Sequence, residues 1–322
     1  MCGFAGFLTT DVNGSFGNFK DVVSEMALAL KHRGPDDAGA WADEEAGIAL
    51  GHRRLSIIDL SAAGHQPMHS HCGRYVLVLN GEIYNHKALR TELQNMGSAP
   101  VWGGHSDTET LLAGFAAWGV VDTLKRTVGM FAFALWDRVE HCLLLGRDRF
   151  GEKPLYYGWT ANTFIFGSEL KALRAYPGFD NPINRGALAL YLQHCTVPAP
   201  HSIYEDIFKL EPGCLLTLPS NGLADRSLLI EPYWRLTKAV REGIVNPVKS
   251  EIEAVSLLDH ALREAVALQA VADVPLGAFL SGGVDSSTIV ALMQAQSERP
   301  VRSEDTRLNS SHEFVSRMPS SA

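Results

Sequence analysis

Hydrophobic and polar positions along the first two-thirds of the chain fall into short blocks of two kinds. Residues 3–8, 55–58, 75–79, 130–136, 142–145 and 164–166 are rich in aromatic or β-branched residues or bounded by turn residues, and they predict strands. In one of them Phe131, Phe133 and Leu135 alternate with Ala132, Ala134 and Trp136, so both faces of that strand are expected to be buried, with 137–141 as a hairpin connection. Other stretches carry the 3.6-residue period of a helix. Val22, Met26 and Leu30 recur on one face, and so do Leu89, Leu93 and Met96 after Asn85. Ser106-Asp-Thr-Glu109 is a capping-box pattern ahead of the apolar run 111–118, with Gly119 as a stop. Ile252, Val255, Leu262 and Val266 predict a later helix of about five turns.

The pattern changes twice. Residues 212–248 are rich in Pro, Gly and polar residues and predict a linker between a first domain, 2–211, and a second unit, 249–296. That unit reads as helix, short strand at 275–280, the glycine loop SGGVDSS, and a helical run over 288–296. Residues 297–322 are rich in Ser and Arg without apolar periodicity, and they read as a non-native or disordered tail.

Composition excludes several classes. With 46% hydrophobic and 20% charged residues, the chain of 322 is not a disordered or fibrous protein. A net charge of -8 argues against a grip on nucleic-acid phosphates, so no nucleic-acid partner is expected. The uncharged stretches 110–121 and 274–284 fall short of the roughly 18 apolar residues a membrane span needs, and the N-terminus has no secretory pattern. A cytoplasmic protein is expected. Cys2, Cys72, Cys142, Cys195 and Cys214 form no CxxC pair, and the spacing of His65, His69 and His71 fits no zinc pattern.

Cys2 has a chemical use because of its position. Removal of Met1 would give it an α-amine beside its thiol, and an amine with a pKa of about 7.7–8.0 can serve as base for that nucleophile. KHRGPDD at 31–37, GHRRLSIIDL at 51–60, LNGEIYN at 79–85 and HSDTE at 105–109 each place polar residues beside a strand or helix end. Together with MCGFAG, FAFALWD, GRDRFGEKPLYYG and FGSELKAL, these segments resemble the glutaminase domain of class II glutamine amidotransferases. The resemblance implies an α+β N-terminal-nucleophile hydrolase fold, four layers αββα with antiparallel sheets. It implies that Cys2 attacks the side-chain amide of glutamine and that Asn80 and the Gly81 N–H form the oxyanion hole. It further implies that Arg54 takes the α-carboxylate and Asp107 the α-ammonium, while Glu82, Leu55 and Ile57 complete the pocket. Charge alone offers a plainer reading of Asp107, as a favourable anion at a helix N-terminus.

SGGVDSS follows a strand and precedes a helix, the setting in which backbone N–H groups hold phosphate. It lacks the GK[ST] ending of a Walker A loop, and 146–154 only superficially suggests one. In its context, DVPLGAFLSGGVDSS, it is similar to the PP-loop ATP pyrophosphatase domain of glutamine-hydrolysing asparagine synthetases, bacterial B-type. That similarity implies ATP contacts from Leu280, Ser281, Gly282, Gly283, Asp285, Ser286 and Ser287, with Asp285 a candidate to help hold Mg2+. The implied reaction is amide synthesis from glutamine, ATP and aspartate, with ammonia passed between two sites; an amidotransferase acting on another carboxylate in surface-polysaccharide biosynthesis, or a non-catalytic glutamine-binding relic, are the alternatives. A homodimer is compatible with the family. One strand and two helices do not close a doubly wound α/β sheet, so this chain is expected to retain at most the glutaminase half.

Overall fold

The computed structural model describes residues 2–11, 17–305 and 315–316. The chain divides into two compact units, 1–237 and 238–322.

In the first unit the order is β1 (Gly3–Thr9), α1 (Phe19–Leu28), β2 (Asp37–Asp43), β3 (Ile48–Arg54), β4 (Met68–His69) and β5 (Tyr75–Ile83). Helices α2 (His86–Asn95), α3 (Asp107–Trp118) and α4 (Val120–Arg126) follow, then β6 (Gly129–Asp137), β7 (Cys142–Arg147), β8 (Tyr156–Thr160) and β9 (Thr163–Gly167). The unit closes with α5 (Leu170–Arg174), α6 (Arg185–His194), β10 (Ile207–Lys209), β11 (Cys214–Pro219) and β12 (Leu229–Pro232). Two six-stranded sheets result, ordered β10-β8-β9-β1-β3-β2 and β12-β11-β7-β6-β5-β4. The strand pairs are antiparallel throughout.

Alternation along the strands fixes the layers. Phe4 and Leu8 of β1, Val76 and Val78 of β5, and Ala132, Ala134 and Trp136 of β6 meet in one core between the sheets. The intervening residues point outward. Phe131, Phe133 and Leu135 pack under Leu89, Leu111, Phe115 and Leu124 of α2–α4. Ala5 and Phe7 pack under Val22, Val23 and Met26 of α1 and Leu173 of α5. Helices thus cover both outer faces, giving the four layers αββα, with β1 and β6 buried on both sides. Burying each such Phe side chain contributes about 1.5–3 kcal/mol.

Two expectations require correction. Residues 55–58 are not a strand; the chain leaves β3 at Arg54, and Ser56 N–H donates to Asp36 Oδ2 at 2.8 Å instead of to a ladder. Residues 212–232 are not a linker either. Leu215–Pro219 pair with Gly146–Cys142 of β7, and β12 pairs with β11, forming the outer edge of the second sheet. Composition misled here, because Gly213, at φ +67, and Pro219 stand at the two ends of β11, next to the sheet edge.

The second unit holds α7 (Leu236–Val245), which begins just before it, α8 (Glu251–Gln269), β13 (Gly277–Leu280), α9 (Val284–Ala295), β14 (Arg302–Asp305) and β15 (Val315–Ser316). β13 pairs parallel with β14, so the stretch read as a tail contributes strand residues; 306–314 and 317–322 lie outside the described residues. Among the described residues no helix is long and apolar enough to cross a membrane.

Candidate active site

One cleft in the first unit is lined by Cys2, Arg54, Leu55, Ile57, Asn80, Gly81, Glu82 and Asp107, residues far apart in sequence. The cleft is partly open to solvent. Gln66, Thr108 and Lys153 also line it and were not anticipated from the sequence.

Cys2 stands at the entry to β1, and Arg33 Nε donates to its carbonyl at 3.0 Å. Arg33 is itself held by Glu169 through a 2.7 Å ion pair. The thiol faces the loop after β3: Leu55 N–H donates to Sγ at 3.3 Å, and Sγ lies 3.5 Å from Leu55 O. Burial pushes the Cys2 thiol above its ordinary pKa, against the Leu55 hydrogen bond. A thiol in these surroundings needs a base at the moment of attack rather than resting as thiolate.

Asn80 and Gly81 lie on β5, where the second sheet borders the cleft. Asn80 is fully buried, and among the described residues neither its Oδ1 nor its Nδ2 has a hydrogen-bond partner. Such an orphaned amide costs about 1–3 kcal/mol and calls for a ligand or a solvent partner. A Cβ at Gly81 would stand 2.2 Å from Met130 O of the neighbouring strand, so the position requires glycine. Just before them, His52 Nε2 lies 3.0 Å from Leu79 O, which fixes the Nε2–H tautomer. Burial lowers the His52 pKa to about 4, keeping the ring neutral.

Arg54 departs from expectation in part. Its Nη1 donates to Ser61 O at 3.1 Å and its Nη2 to Ile58 O at 3.2 Å and to Asp59 O. Three of its five donors therefore pin the 58–61 loop. Gly64 leaves room for this guanidinium, since a Cβ there would stand 1.9 Å from Nη2 and displace it.

Asp107 opens α3, where Ser106 Oγ accepts from Glu109 N–H at 3.2 Å as the cap. Glu109 does not close the predicted capping box; it accepts from Gly103 N–H at 2.6 Å and from Arg90 at 3.2 Å. Asp107 Oδ2 accepts from Ile83 N–H at 2.8 Å and Oδ1 from Thr108 N–H at 2.8 Å. Burial raises its pKa against those bonds. Glu82 is raised by burial and by Asp107, while burial lowers Lys153 against the pull of Glu82. Asp148, fully buried, accepts from the N–H groups of Phe150, Glu152 and Lys153 at 3.0, 2.9 and 3.0 Å, and this shapes the loop that carries Lys153.

In the second unit the sequence-predicted residues run from the end of β13 at Leu280, through the exposed connection 281–283, into the first turn of α9. Gly282 adopts φ +73 and Gly283 is the helix N-cap, with no side chain capping α9. Ser286 Oγ lies 3.0 Å from Ser281 Oγ and accepts from Ser281 N–H at 3.3 Å. The uncapped helix start and the hydroxyl cluster fit a phosphate. Asp285 is exposed and, among the described residues, no group of three or more His, Cys, Asp or Glu side chains forms a metal site. Mg2+ here would rest on Asp285 and on phosphate oxygens.

A cysteine at the head of a strand in a double antiparallel sheet, covered by helices on both sides, defines an N-terminal-nucleophile hydrolase fold. The chain belongs to the glutamine amidotransferase domain family, whose model matches residues 1–234. Residues 257–314 match the asparagine synthase family. Glutamine phosphoribosylpyrophosphate amidotransferase from Bacillus subtilis has the same fold, with a TM-score of 0.52 at 19% identity over 72% of this chain and 49% of its own. Among curated relatives, asparagine synthetase [glutamine-hydrolyzing] 1 of Bacillus subtilis is 35% identical over 91% of this chain and 44% of its own length. A Mycobacterium tuberculosis protein provisionally named asparagine synthetase [glutamine-hydrolyzing] is 37% identical over 91% of this chain and 45% of its own. The fungal protein Amidase chry2 of Gibberella zeae is 33% identical over 91% and 43%. The chain spans about half the length of these relatives.

Proposed function

We propose that the first unit hydrolyses the side-chain amide of glutamine. The observation that carries this reading is the buried Asn80 amide, without a partner among the described residues, in a cleft shared with Cys2. Once Met1 is removed, the α-amine of Cys2 takes the thiol proton as Sγ attacks the amide carbon. Asn80 Nδ2 and the Gly81 N–H stabilise the negative oxygen of the tetrahedral intermediate. The amide nitrogen leaves as ammonia with the proton carried by the amine, and water hydrolyses the thioester to glutamate and free thiol. Arg54 holds the α-carboxylate of glutamine and Asp107 its α-ammonium. Glu82, Leu55 and Ile57 complete the walls.

In the whole protein, the ammonia feeds a ligase half that uses ATP at the 280–287 segment to activate a carboxylate. Aspartate is the acceptor that the synthetase-named relatives favour. The amidase name of the fungal relative supports a second reading, in which the same nitrogen donor serves a different acceptor. A cytoplasmic location and a dimeric assembly belong to the same reading.

Glutamate release by the purified chain tests the proposal, with intact mass to establish loss of Met1 and Cys2→Ala as control. The expected result is release that disappears in Cys2→Ala. A folded, Met1-free chain that releases no glutamate overturns it.

A further inference from the structure

β4 begins at Met68, opposite Leu77, so among the described residues β5 has no strand neighbour on its outer side beyond Leu77. The two backbone groups that Leu79 presents there are met by side chains. His52 takes the carbonyl, and Gln66 Oε1 accepts from Leu79 N–H at 2.6 Å. Gln66 is buried, and its Nε2 lies 3.3 Å from Thr108 Oγ1. Thr108 Oγ1 lies 3.4 Å from Asp107 Oδ1.

The direction of this chain is fixed by chemistry. Leu79 N–H can only donate, so Gln66 must turn Oε1 toward it, which leaves Nε2–H to donate to Thr108 Oγ1. The Thr108 hydroxyl, accepting there, gives its own proton to Asp107 Oδ1. Every donor points toward the carboxylate, and bonds aligned in this way strengthen one another. The far end is the residue immediately before Asn80.

We propose that Gln66 and Thr108 are positioning residues that couple the Asp107 end of the cleft to the oxyanion strand at Leu79–Asn80. This rests on the glutaminase reading given above. Glutamine seated with its ammonium on Asp107 holds that carboxylate as an anion, which strengthens the acceptor end of the relay. The relay then holds the Leu79 amide, and with it Asn80, where the developing oxyanion needs a donor. Binding energy from the unreactive end of the substrate is thereby used at the reacting end.

Thr108→Val removes the hydroxyl at nearly constant shape, and Thr108→Ser restores it. Steady-state glutamine hydrolysis by the full chain is expected to show kcat lowered about tenfold in Thr108→Val with KM changed less than about threefold, and Thr108→Ser within about twofold of wild type. A KM effect alone, or equal losses in both variants, overturns the relay. Hydrogen exchange of the Leu79 amide reads the same link without catalysis: Thr108→Val should exchange about tenfold faster than wild type and Thr108→Ser should not. Absence of turnover in wild type sinks the glutaminase reading, whereas unchanged Leu79 exchange in Thr108→Val sinks the relay.

Discussion

Asp107 receives two backbone N–H bonds, yet its burial pushes its pKa upward, so its proton persists to higher pH than on an exposed aspartate. A protonated Asp107 cannot pair with an ammonium. Glutamine affinity should therefore fall as pH drops through the raised pKa and level off above it. Calorimetry on Cys2→Ala, which binds without turnover, should show Kd rising about tenfold per pH unit on the acid side; adding Asp107→Asn should weaken binding and flatten the profile. An acid limb that survives Asp107→Asn assigns the titration to another group, such as Glu82. Asn80 gives the opposite separation of function from stability. Asn80→Ala should lower kcat about 10²–10³-fold, while thermal unfolding shows no loss of stability, because the side chain removed is an unsatisfied buried amide. A clear fall in Tm would mean that Asn80 is structural. Eight lining residues of the cleft were legible because they sit in motifs with a recognisable order along the chain. Gln66, Thr108 and Lys153 were not, because their roles exist only once 66, 79, 108 and 153 converge. Arg54 was half legible: its fork was anticipated, but not its hold on the 58–61 carbonyls.

Elements followed the sequence where burial is two-sided. β1, β6 and β7 are continuous apolar runs whose alternate residues fill two different cores, so pattern and structure coincide within a residue or two. β2 and β3 escaped notice because Gly39, Gly51 and alternating Ala carry little β-signal; Gly51 is required there, a Cβ standing 2.8 Å from Val23 O under α1. β11 and β12 were hidden by Pro and Gly at a sheet edge. The GRDRFGEKP segment shows how a polar stretch can be an element in all but name. Asp148 gathers three loop N–H groups and a longer contact from Phe131 N–H at 3.3 Å. Arg147 holds the carbonyls of Lys153, Gly151 and Leu210 at 2.6–2.7 Å. Asp148→Ala would leave several buried donors unpaired at once, so urea unfolding should report a loss of about 3 kcal/mol or more, well beyond the ~1 kcal/mol expected for removing the single helix cap in Ser106→Ala. Equal losses in the two variants would refute this view of the loop.

On the scale of the whole chain the two units differ in how much apolar surface each conceals. The three core clusters all lie within 1–237, and they include large side chains that are fully buried. Beyond 237 the buried apolar residues among those described are Val266, Val290 and Leu292, whereas Ile252, Val255, Leu258 and Ile244 are 86%, 62%, 59% and 72% exposed. At about 25 cal/mol per Å² of buried apolar surface, the second unit has far less to set against the entropy of ordering its residues. The two units should therefore unfold separately, the second at lower temperature. Scanning calorimetry of the full chain should resolve a weak early transition and a main one. A chain ending at residue 237 should keep the main transition within about 2–4 °C, the shift that a change of about 1 kcal/mol produces in a domain of this size. If the proposed glutaminase is a property of the first unit, that shortened chain should also keep its glutamine hydrolysis, since every residue assigned to the cleft lies before 154. A main transition that drops by more than about 10 °C, or hydrolysis that disappears while the fold persists, would show that the second unit completes the first.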